Sequence, residues 1–287
     1  MHDPNLKVAI KVLDKAKMKY ELDIVMDEVA VLNKLDHPCI VKYFETYNDA
    51  KYIYLVMEFI DGCHLFKHIT SQPLEHFGEQ MACKYFKDIV SAISHCHAQN
   101  VIHRDIKPEN IMVTTNDEIK VIDFGLSKNA RSVTNHQIVG TPFYIAPEII
   151  QDRPYDTQVD IWSLGVLLYI MLSGHYPFSA NEQTVLFEKI ARGHYSFNHE
   201  EFDSVSSEGK DLIAKMLVLE PKLRLTACQI LKHPWFNKFS PAQTVTKSVD
   251  QLDVKTFTKL RSYKGVSHFK RAAMNILIKM SSEEQLH

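Results

Sequence analysis

The chain has 287 residues, a formal net charge of -2 and 45% apolar residues, a composition typical of a globular protein with ample material for a core. This near-neutral balance gives no electrostatic reason to expect a nucleic-acid partner, because nucleic-acid-binding domains are strongly basic. The five cysteines form no C-x-x-C pair and no apolar stretch is long enough to span a bilayer, so we expect reduced thiols, a cytoplasmic location and no transmembrane segment.

The first sixty residues carry the signals of a small β-rich unit. Short runs of β-branched and aromatic residues predict strands, and an apolar period of three to four residues predicts one helix. We expect strands at Lys7–Leu13, Cys39–Tyr47 and Tyr52–Ile60, the turn "NDAK" between the last two, and a helix over Ile24–Leu35.

Beyond residue 62 the pattern becomes mainly helical. We predict helices over Gly78–His97 and Ile161–Leu172, the second apolar on all sides and therefore buried. The run "HCH" at His95–His97 lies on the first of these, where adjacent residues do not converge on one metal ion. Between the helices, "IMVT" and "IKV" predict a strand pair. The fold class is therefore α+β, with a small β-rich lobe, a larger helical lobe and a cleft between them that suits a ligand.

The C-terminal segment differs from the rest in composition. Residues 240–255 are polar and predict a linker, and Lys238–His287 carries nine Lys or Arg against four Asp or Glu. Apolar residues at steps of three and four predict an amphipathic helix over Ser267–Met280. Ser281 and the glutamate three residues after it form a capping-box helix start near the end of the sequence, so we expect a partner domain beyond it.

The stretch "VIHRDIKPENIMV", which begins at Val101, crowds six polar or charged residues between two apolar flanks. It is either a solvated turn or a site where several charges meet one substrate. Asp105 and Asp123 are 18 residues apart, and the predicted strand pair between them can bring both carboxylates together with the amide of Asn110. Oxygen donors of this kind suit Mg²⁺ rather than a soft metal, and Mg²⁺ with a nearby lysine suits phosphates.

A second candidate pair joins the first predicted strand to the first helix. Lys11 lies on the strand, where a charge is costly unless paired, and Glu28 lies on the helix. Together with this glutamate, "VAIK", "HRDIKPEN", "DFG" and "APE" occur in order along the chain. This set resembles the signature of eukaryotic Ser/Thr protein kinases, and the resemblance runs from about Lys7 to Phe236.

The resemblance implies the bilobal protein kinase fold with ATP and Mg²⁺ as cofactors and protein Ser/Thr hydroxyls as substrates. It places a partial N-lobe at residues 1–57, a hinge at 58–62, the C-lobe at 63–237 and a linker with a regulatory segment at 238–287.

The resemblance also implies roles for the charged residues of the motifs. Asp105 would accept or orient the proton of the substrate hydroxyl, and Lys107 would steady the γ-phosphate. Asn110 and Asp123 would hold Mg²⁺. Lys11 would bind the α- and β-phosphates, positioned by the glutamate of the helix.

Apolar and backbone groups would hold the adenine. Met57 would be the gatekeeper, the backbone of Glu58 and Ile60 would bind the adenine edge, and Ala9 and Met112 would pack on its faces. Ordinary core packing is the alternative for these apolar positions, and both can hold.

Other matching residues have structural roles in the resemblance. They are a Glu148–Arg224 pair, Asp160 as an anchor of the catalytic-loop backbone, Thr141 beside Asp105 and Lys107, and a stack of His103 and Phe124 with Leu32 and Tyr43. His103 is therefore expected to be a packed core histidine rather than a base.

The C-terminal segment 257–287 resembles the junction segment of calcium-dependent protein kinases. That resemblance implies autoinhibition, release by a calmodulin-like EF-hand domain, and a monomer. A basic amphipathic helix is what such grooves bind. Two alternatives are a surface helix docked on the large lobe and a separate calmodulin-binding module.

The sequence departs from the family in three places. It contains no G-x-G-x-x-G loop, so a catalytically weak scaffold with a kinase fold is the alternative to an active enzyme. It also contains no EF-hand loop, so we expect no Ca²⁺ site within this chain. His64 replaces an acidic residue that contacts ribose and a substrate arginine, which leaves Glu109 at the nucleotide site as the partner for a basic substrate.

The segment before "GTPFY" carries little sign of control by phosphorylation. Gln137 occupies the usual phosphorylation site and has no hydroxyl, and Ser132 and Thr134 are possible substitutes. We therefore expect control by the C-terminal segment.

Overall fold

A computed structural model describes residues 7–16, 22–130 and 140–239. The small lobe contains a three-stranded antiparallel sheet in the order β1-β3-β2 and one helix, α1. Its elements are β1 (Val8–Asp14), α1 (Leu22–Leu32), β2 (Tyr43–Asn48) and β3 (Tyr52–Glu58). The sheet register places Lys11 opposite Leu55, a fully buried residue of β3. Lys11 is therefore held on a regular strand beside the small-lobe core.

The strand predicted at Cys39–Tyr47 begins later than expected, at Tyr43. The residues before it pair with the large lobe instead: Val121 donates its N–H to the Cys39 carbonyl at 2.8 Å, and Val41 donates to the Val121 carbonyl at 2.9 Å. Ile40 is 2% exposed in this arrangement, so its burial between the lobes outweighs its strand propensity. This bridge ties the small lobe to the strand that precedes Asp123.

Two small antiparallel sheets begin the large lobe. One has the order β4-β6-β7, from β4 (Gly62–His64), β6 (Ile111–Thr114) and β7 (Ile119–Val121); the other pairs β5 (Val101–Ile102) with β8 (Lys128–Asn129). Gly62 is required in the first sheet because a Cβ there would clash with the Val113 carbonyl. Residues 103–110 connect β5 to β6, so each end of this loop is attached to one of the two sheets.

The rest of the large lobe is helical, as predicted. Its helices are α2 (Leu65–Thr70), α3 (Glu79–Ala98), α4 (Pro147–Ile150), α5 (Gln158–Ser173), α6 (Gln183–Arg192), α7 (Ser207–Met216), α8 (Ala227–Ile230) and α9 (Pro234–Lys238), with short 3-10 helices at Pro108–Asn110, Pro142–Tyr144, Glu200–Ser204 and Pro221–Leu223. Every residue of α5 from Val159 to Ser173 is buried, which confirms the predicted core helix.

The architecture confirms the α+β, two-lobed expectation. Within the described ranges, no helix combines the length and apolar character needed to cross a membrane. The candidate phosphorylation residues 132, 134 and 137, the linker and the amphipathic segment all lie outside the described residues.

Candidate functional site

A buried carboxylate shapes the loop between β5 and β6. Asp160, in the first turn of α5, is 0% exposed and accepts the backbone N–H groups of His103 and Arg104, both at 2.9 Å. Its Oδ2 also lies 2.8 Å from Nε2 of His97. Burial acts to raise the pKa of Asp160, but the hydrogen bond and charge of His97 hold it below its ordinary value. Arg104 adopts a left-handed conformation, φ 65°, which this anchor stabilises.

The loop presents Asp105 with fixed donors around its carboxylate. Lys107 Nζ lies 2.7 Å from Oδ2, and the Asn110 amide donates to the same oxygen at 2.8 Å and to the Asp105 carbonyl at 2.9 Å. The Thr141 hydroxyl donates to Oδ1 at 3.0 Å and accepts from Lys107 at 2.8 Å. The expected contact of Thr141 with both residues is therefore present, and Asp105 is held in one orientation.

A lysine and two carboxylates from three different elements meet across the cleft. Lys11 Nζ on β1 lies 2.7 Å from Glu28 Oε1 on α1 and 3.3 Å from Asp123 Oδ1, which follows β7. Burial acts to lower the pKa of Lys11, but Glu28 and then Asp123 outweigh it and raise the pKa. Lys11 is therefore a cation, a state compatible with its predicted contact to phosphates.

Asp123 lies beside the loop of Asp105. The Ile122 N–H donates to the Asn110 carbonyl at 2.9 Å, which places Asp123 one residue from the Asn110 backbone. Asp123 has a left-handed φ of 60° and accepts the Gly125 N–H at 3.3 Å. Burial acts to raise its pKa, but Lys11 and this N–H lower the pKa below the ordinary value, so the side chain is an anion.

His103 lies in the core beneath these groups. Its ring centroid is 4.8 Å from that of Phe124, and Leu32 and Tyr43 belong to the same apolar cluster as Phe124, which contains residues of both lobes. Burial lowers the pKa of His103, which is 0% exposed. The His103–Phe124 contact of the predicted stack is therefore present, and the ring of His103 is buried away from any substrate.

The residues predicted to hold adenine surround the hinge. Ala9 pairs with Met57 across β1 and β3, and Met112 pairs with His64 across β6 and β4. The Glu58 N–H donates to the Lys42 carbonyl at 2.8 Å. Ala9, Met57, Glu58, Ile60 and Met112 are all partly exposed, and Glu109 is exposed on its short 3-10 helix. Their roles toward adenine and substrate stay predictions.

The protein kinase domain family matches residues 1–236, most of the chain. The chain belongs to the protein kinase family. Among its relatives are calcium/calmodulin-dependent protein kinase type 1 of Macrobrachium nipponense, 36% identical over 90% of this chain and 76% of that protein, and calcium-dependent protein kinase 17 of Arabidopsis thaliana, 38% identical over 97% of this chain and 52% of that protein. Calcium-dependent protein kinase 5 of Plasmodium falciparum is 35% identical over 97% of this chain and 49% of that protein.

These similarities identify the kinase as a serine/threonine protein kinase of the calcium/calmodulin-dependent group. They confirm the predicted fold and enzyme class. The kinase spans about half the length of the two calcium-dependent relatives.

The predicted ion pair that braces the large lobe of the kinase is present. Arg224 meets Glu148 in a bidentate contact, with nitrogen–oxygen distances of 2.6 and 2.7 Å, and the two side chains are 0% and 1% exposed. The Arg224 guanidinium also lies 5.1 Å from the centre of the Trp162 ring, which supports the pair from the buried helix α5.

Two contacts of the kinase were not predicted from its sequence. His97 supports Asp160, although the sequence offered it only as part of "HCH". Lys120 lies 2.8 Å from Glu58 and fixes that residue at the hinge. No periodic pattern in the sequence predicts either contact, because the two residues of each pair lie more than sixty positions apart.

Proposed function

We propose that this kinase transfers the γ-phosphate of ATP to Ser or Thr hydroxyls of proteins with Asp105 as the proton acceptor, and that segment 257–287 holds it inactive until a calcium-sensing domain binds that segment. The observation that carries the catalytic part is the network of Asp105, Lys107, Asn110 and Thr141, with distances of 2.7 to 3.0 Å. It provides a fixed proton acceptor beside a cation.

The carboxylate of Asp105, the proposed proton acceptor, is already held in position in the absence of substrate. Asp105 is 8% exposed and its carboxylate accepts from Asn110 and Thr141, so a substrate hydroxyl would meet it in one orientation. Lys107, beside the same carboxylate, would balance negative charge on the transferring group. Since phosphoryl transfer depends mainly on positioning and charge neutralisation, this arrangement suits the reaction.

The donor set of this chain fits ATP and Mg²⁺. The Asn110 amide nitrogen donates to Asp105, which leaves its carbonyl oxygen as a ligand, and Asp123 contributes an ionised carboxylate with its side chain half exposed. Oxygen ligands of this kind are those that Mg²⁺ prefers. Bound Mg²⁺ would neutralise charge on the phosphates, while Lys11, positioned by Glu28, would bind the phosphates from the small lobe.

The catalytic proposal is tested by measuring phosphate transfer to a basic peptide with Mg-ATP. We expect Asp105→Asn to lower kcat by about 10²- to 10⁴-fold, the usual contribution of a positioned base. Asp36→Asn, at an exposed aspartate of the small lobe, is the matched control and should retain activity. Equal background activity in the parent and in Asp105→Asn would contradict the enzyme proposal and favour a scaffold.

Three features support the regulatory part. Segment 238–287 has nine Lys or Arg against four Asp or Glu, and its apolar residues recur at helical spacing. Basic amphipathic helices bind calmodulin-like grooves. The similarity to calcium-dependent protein kinases of Arabidopsis thaliana and Plasmodium falciparum covers 97% of the chain and so extends into this segment.

The regulatory part is tested within the full chain by reversing two charges of the segment, Lys270→Glu with Arg271→Glu. If the segment blocks the cleft, activity should rise by roughly 5- to 150-fold, the range of typical coupling energies. Lys232→Glu, on the large lobe, serves as a control for a change of charge alone. Unchanged activity in the double variant, together with no binding of a 257–287 peptide to Ca²⁺-loaded calmodulin, would contradict autoinhibition.

The thiols support a cytoplasmic location, which we include in the proposal. All five cysteines are free, and burial raises the pKa of Cys39 and of Cys83 to about 11. Free thiols of this kind persist in a reducing compartment.

A further inference from the structure

Two histidines and a glutamate converge on the surface of the large lobe, outside the catalytic motifs. We call His175, His199 and Glu201 the His175 cluster, in which one ligand atom from each residue lies within 4.8 Å of the other two. His175 Nε2 is 3.6 Å from Glu201 Oε1. The rings of His175 and His199 are stacked, with centroids 4.3 Å apart and 19° between their planes.

The backbone that carries the cluster is held by α5. His175 follows the end of this helix and donates its N–H to Ser173 Oγ at 3.2 Å. His199 occupies the N-cap position of the 3-10 helix that contains Glu201, and its ring makes an edge contact with Tyr169 of α5, at 6.4 Å between centroids. Tyr169 also donates its hydroxyl to the Ser196 carbonyl at 2.8 Å. Contacts with α5 therefore hold in place the backbone that carries the three side chains.

We propose that the His175 cluster binds Zn²⁺, with two imidazole nitrogens, one carboxylate oxygen and a water as the ligands. Imidazole and carboxylate together suit Zn²⁺, whereas Mg²⁺ and Ca²⁺ prefer oxygen ligands only. Metal–ligand distances near 2.0 Å in a tetrahedron place neighbouring ligands about 3.4 Å apart. The His175–Glu201 distance of 3.6 Å is already close to this value. Because the lone pair of an imidazole lies in the plane of its ring, the nearly parallel rings of His175 and His199 must turn out of their stack to meet one ion, and both side chains are exposed and have room to do so.

The His175 cluster lies next to Tyr176, which packs against the residues that follow Thr141. Tyr176, which follows His175, stacks on Phe143 with centroids 4.5 Å apart. Phe143 is two residues beyond Thr141, which bonds Asp105 and Lys107. Zn²⁺ bound at His175 would therefore restrain the adjacent Tyr176, on which Phe143 packs. This site is separate from the proposed nucleotide site.

The test is a Zn²⁺ titration of the full, chelator-treated chain in competition with a chromophoric chelator and without nucleotide. We expect His199→Ala and Glu201→Gln to weaken one site by at least about tenfold, since removing a ligand should cost no less than removing its supporting partner. His194→Ala and Glu200→Gln, exposed neighbours outside the cluster, should bind like the parent. Millimolar Mg²⁺ should not displace the bound Zn²⁺.

Thermal unfolding separates loss of a ligand from loss of the fold. Zn²⁺ should raise the midpoint of the parent and of the control variants, but not that of His199→Ala or Glu201→Gln. If His199→Ala lowers the midpoint without metal, Glu201→Gln and His175→Ala decide the question. Parental Zn²⁺ affinity in the cluster variants, or a parent that binds no Zn²⁺, would overturn the proposal.

Discussion

Removing the charge of Glu148 should destabilise the large lobe far more than an equivalent change at its surface. In Glu148→Gln, the Arg224 guanidinium remains 0% exposed but loses its carboxylate partner. It keeps its hydrogen bonds to the carbonyls of Val218, Gln158 and Leu219, at 2.7, 2.8 and 3.3 Å. These acceptors carry only partial charges, so they replace little of the lost interaction.

The expected cost is about 3–5 kcal/mol, the range found when one partner of a buried ion pair is removed. For a domain of this size, each kcal/mol lowers the melting temperature by about 2–4 °C, which gives a decrease of roughly 10 °C. Replacing both partners by apolar residues should not restore stability, because the carbonyls that bond Arg224 would then lack their donor.

Urea titration and differential scanning calorimetry measure this change. Glu188→Gln makes the same substitution in an exposed pair with Arg192, where the side chains are 66% and 70% exposed. We expect it to cost less than about 0.5 kcal/mol, as exposed pairs on helices do. If Glu148→Gln and Glu188→Gln lower the free energy of unfolding equally, burial of the Glu148–Arg224 pair does not determine the cost of removing its charge.

The residues to which we assign positioning or substrate-binding roles give three further expectations. Glu28→Gln should raise the KM for ATP by about tenfold in initial-rate assays, because Lys11 loses its charged partner; an unchanged KM would exclude the positioning role. Asp160→Asn should lower kcat and stability at neutral pH. Because the folded-state pKa of Asp160 lies below its ordinary 3.8, its contribution to stability is present above about pH 4 and lost as the pH falls through the folded value, so the difference between parent and variant in unfolding midpoint should shrink in acid. His64→Glu should strengthen selection for an upstream arginine on a peptide array, and strong selection already present in the parent would contradict this.

The sequence predicted the elements and contacts that depend on strong local pattern or on ordered motifs. Helix α5 is apolar on all sides and is buried on all sides. The pairing of Lys11 with Glu28 was expected because a charge on a strand needs a partner, and the two lie 2.7 Å apart. Asp105 and Asn110 converge because one short loop carries both.

Contacts between distant elements that belong to no motif could not be predicted in this way. The start of β2 at Tyr43 depends on pairing of Cys39 and Val41 with a strand about eighty residues later. The His175 cluster combines a helix end with a short 3-10 helix, and no repeating spacing links these positions. The assignments on residues 131–139 and 240–287 lie outside the described residues and stay predictions.

The position of Asp160 links the loop that carries Asp105 to the buried core of the large lobe. Its carboxylate joins α5, buried from Val159 to Ser173, to the backbone amides of His103 and Arg104. In native-state hydrogen exchange, these two amides should then exchange as slowly as the core helix, although they belong to a loop. Local opening of the small lobe would leave residues 103–110 folded, so the cleft between the lobes could rearrange repeatedly without disturbing Asp105, the proposed proton acceptor.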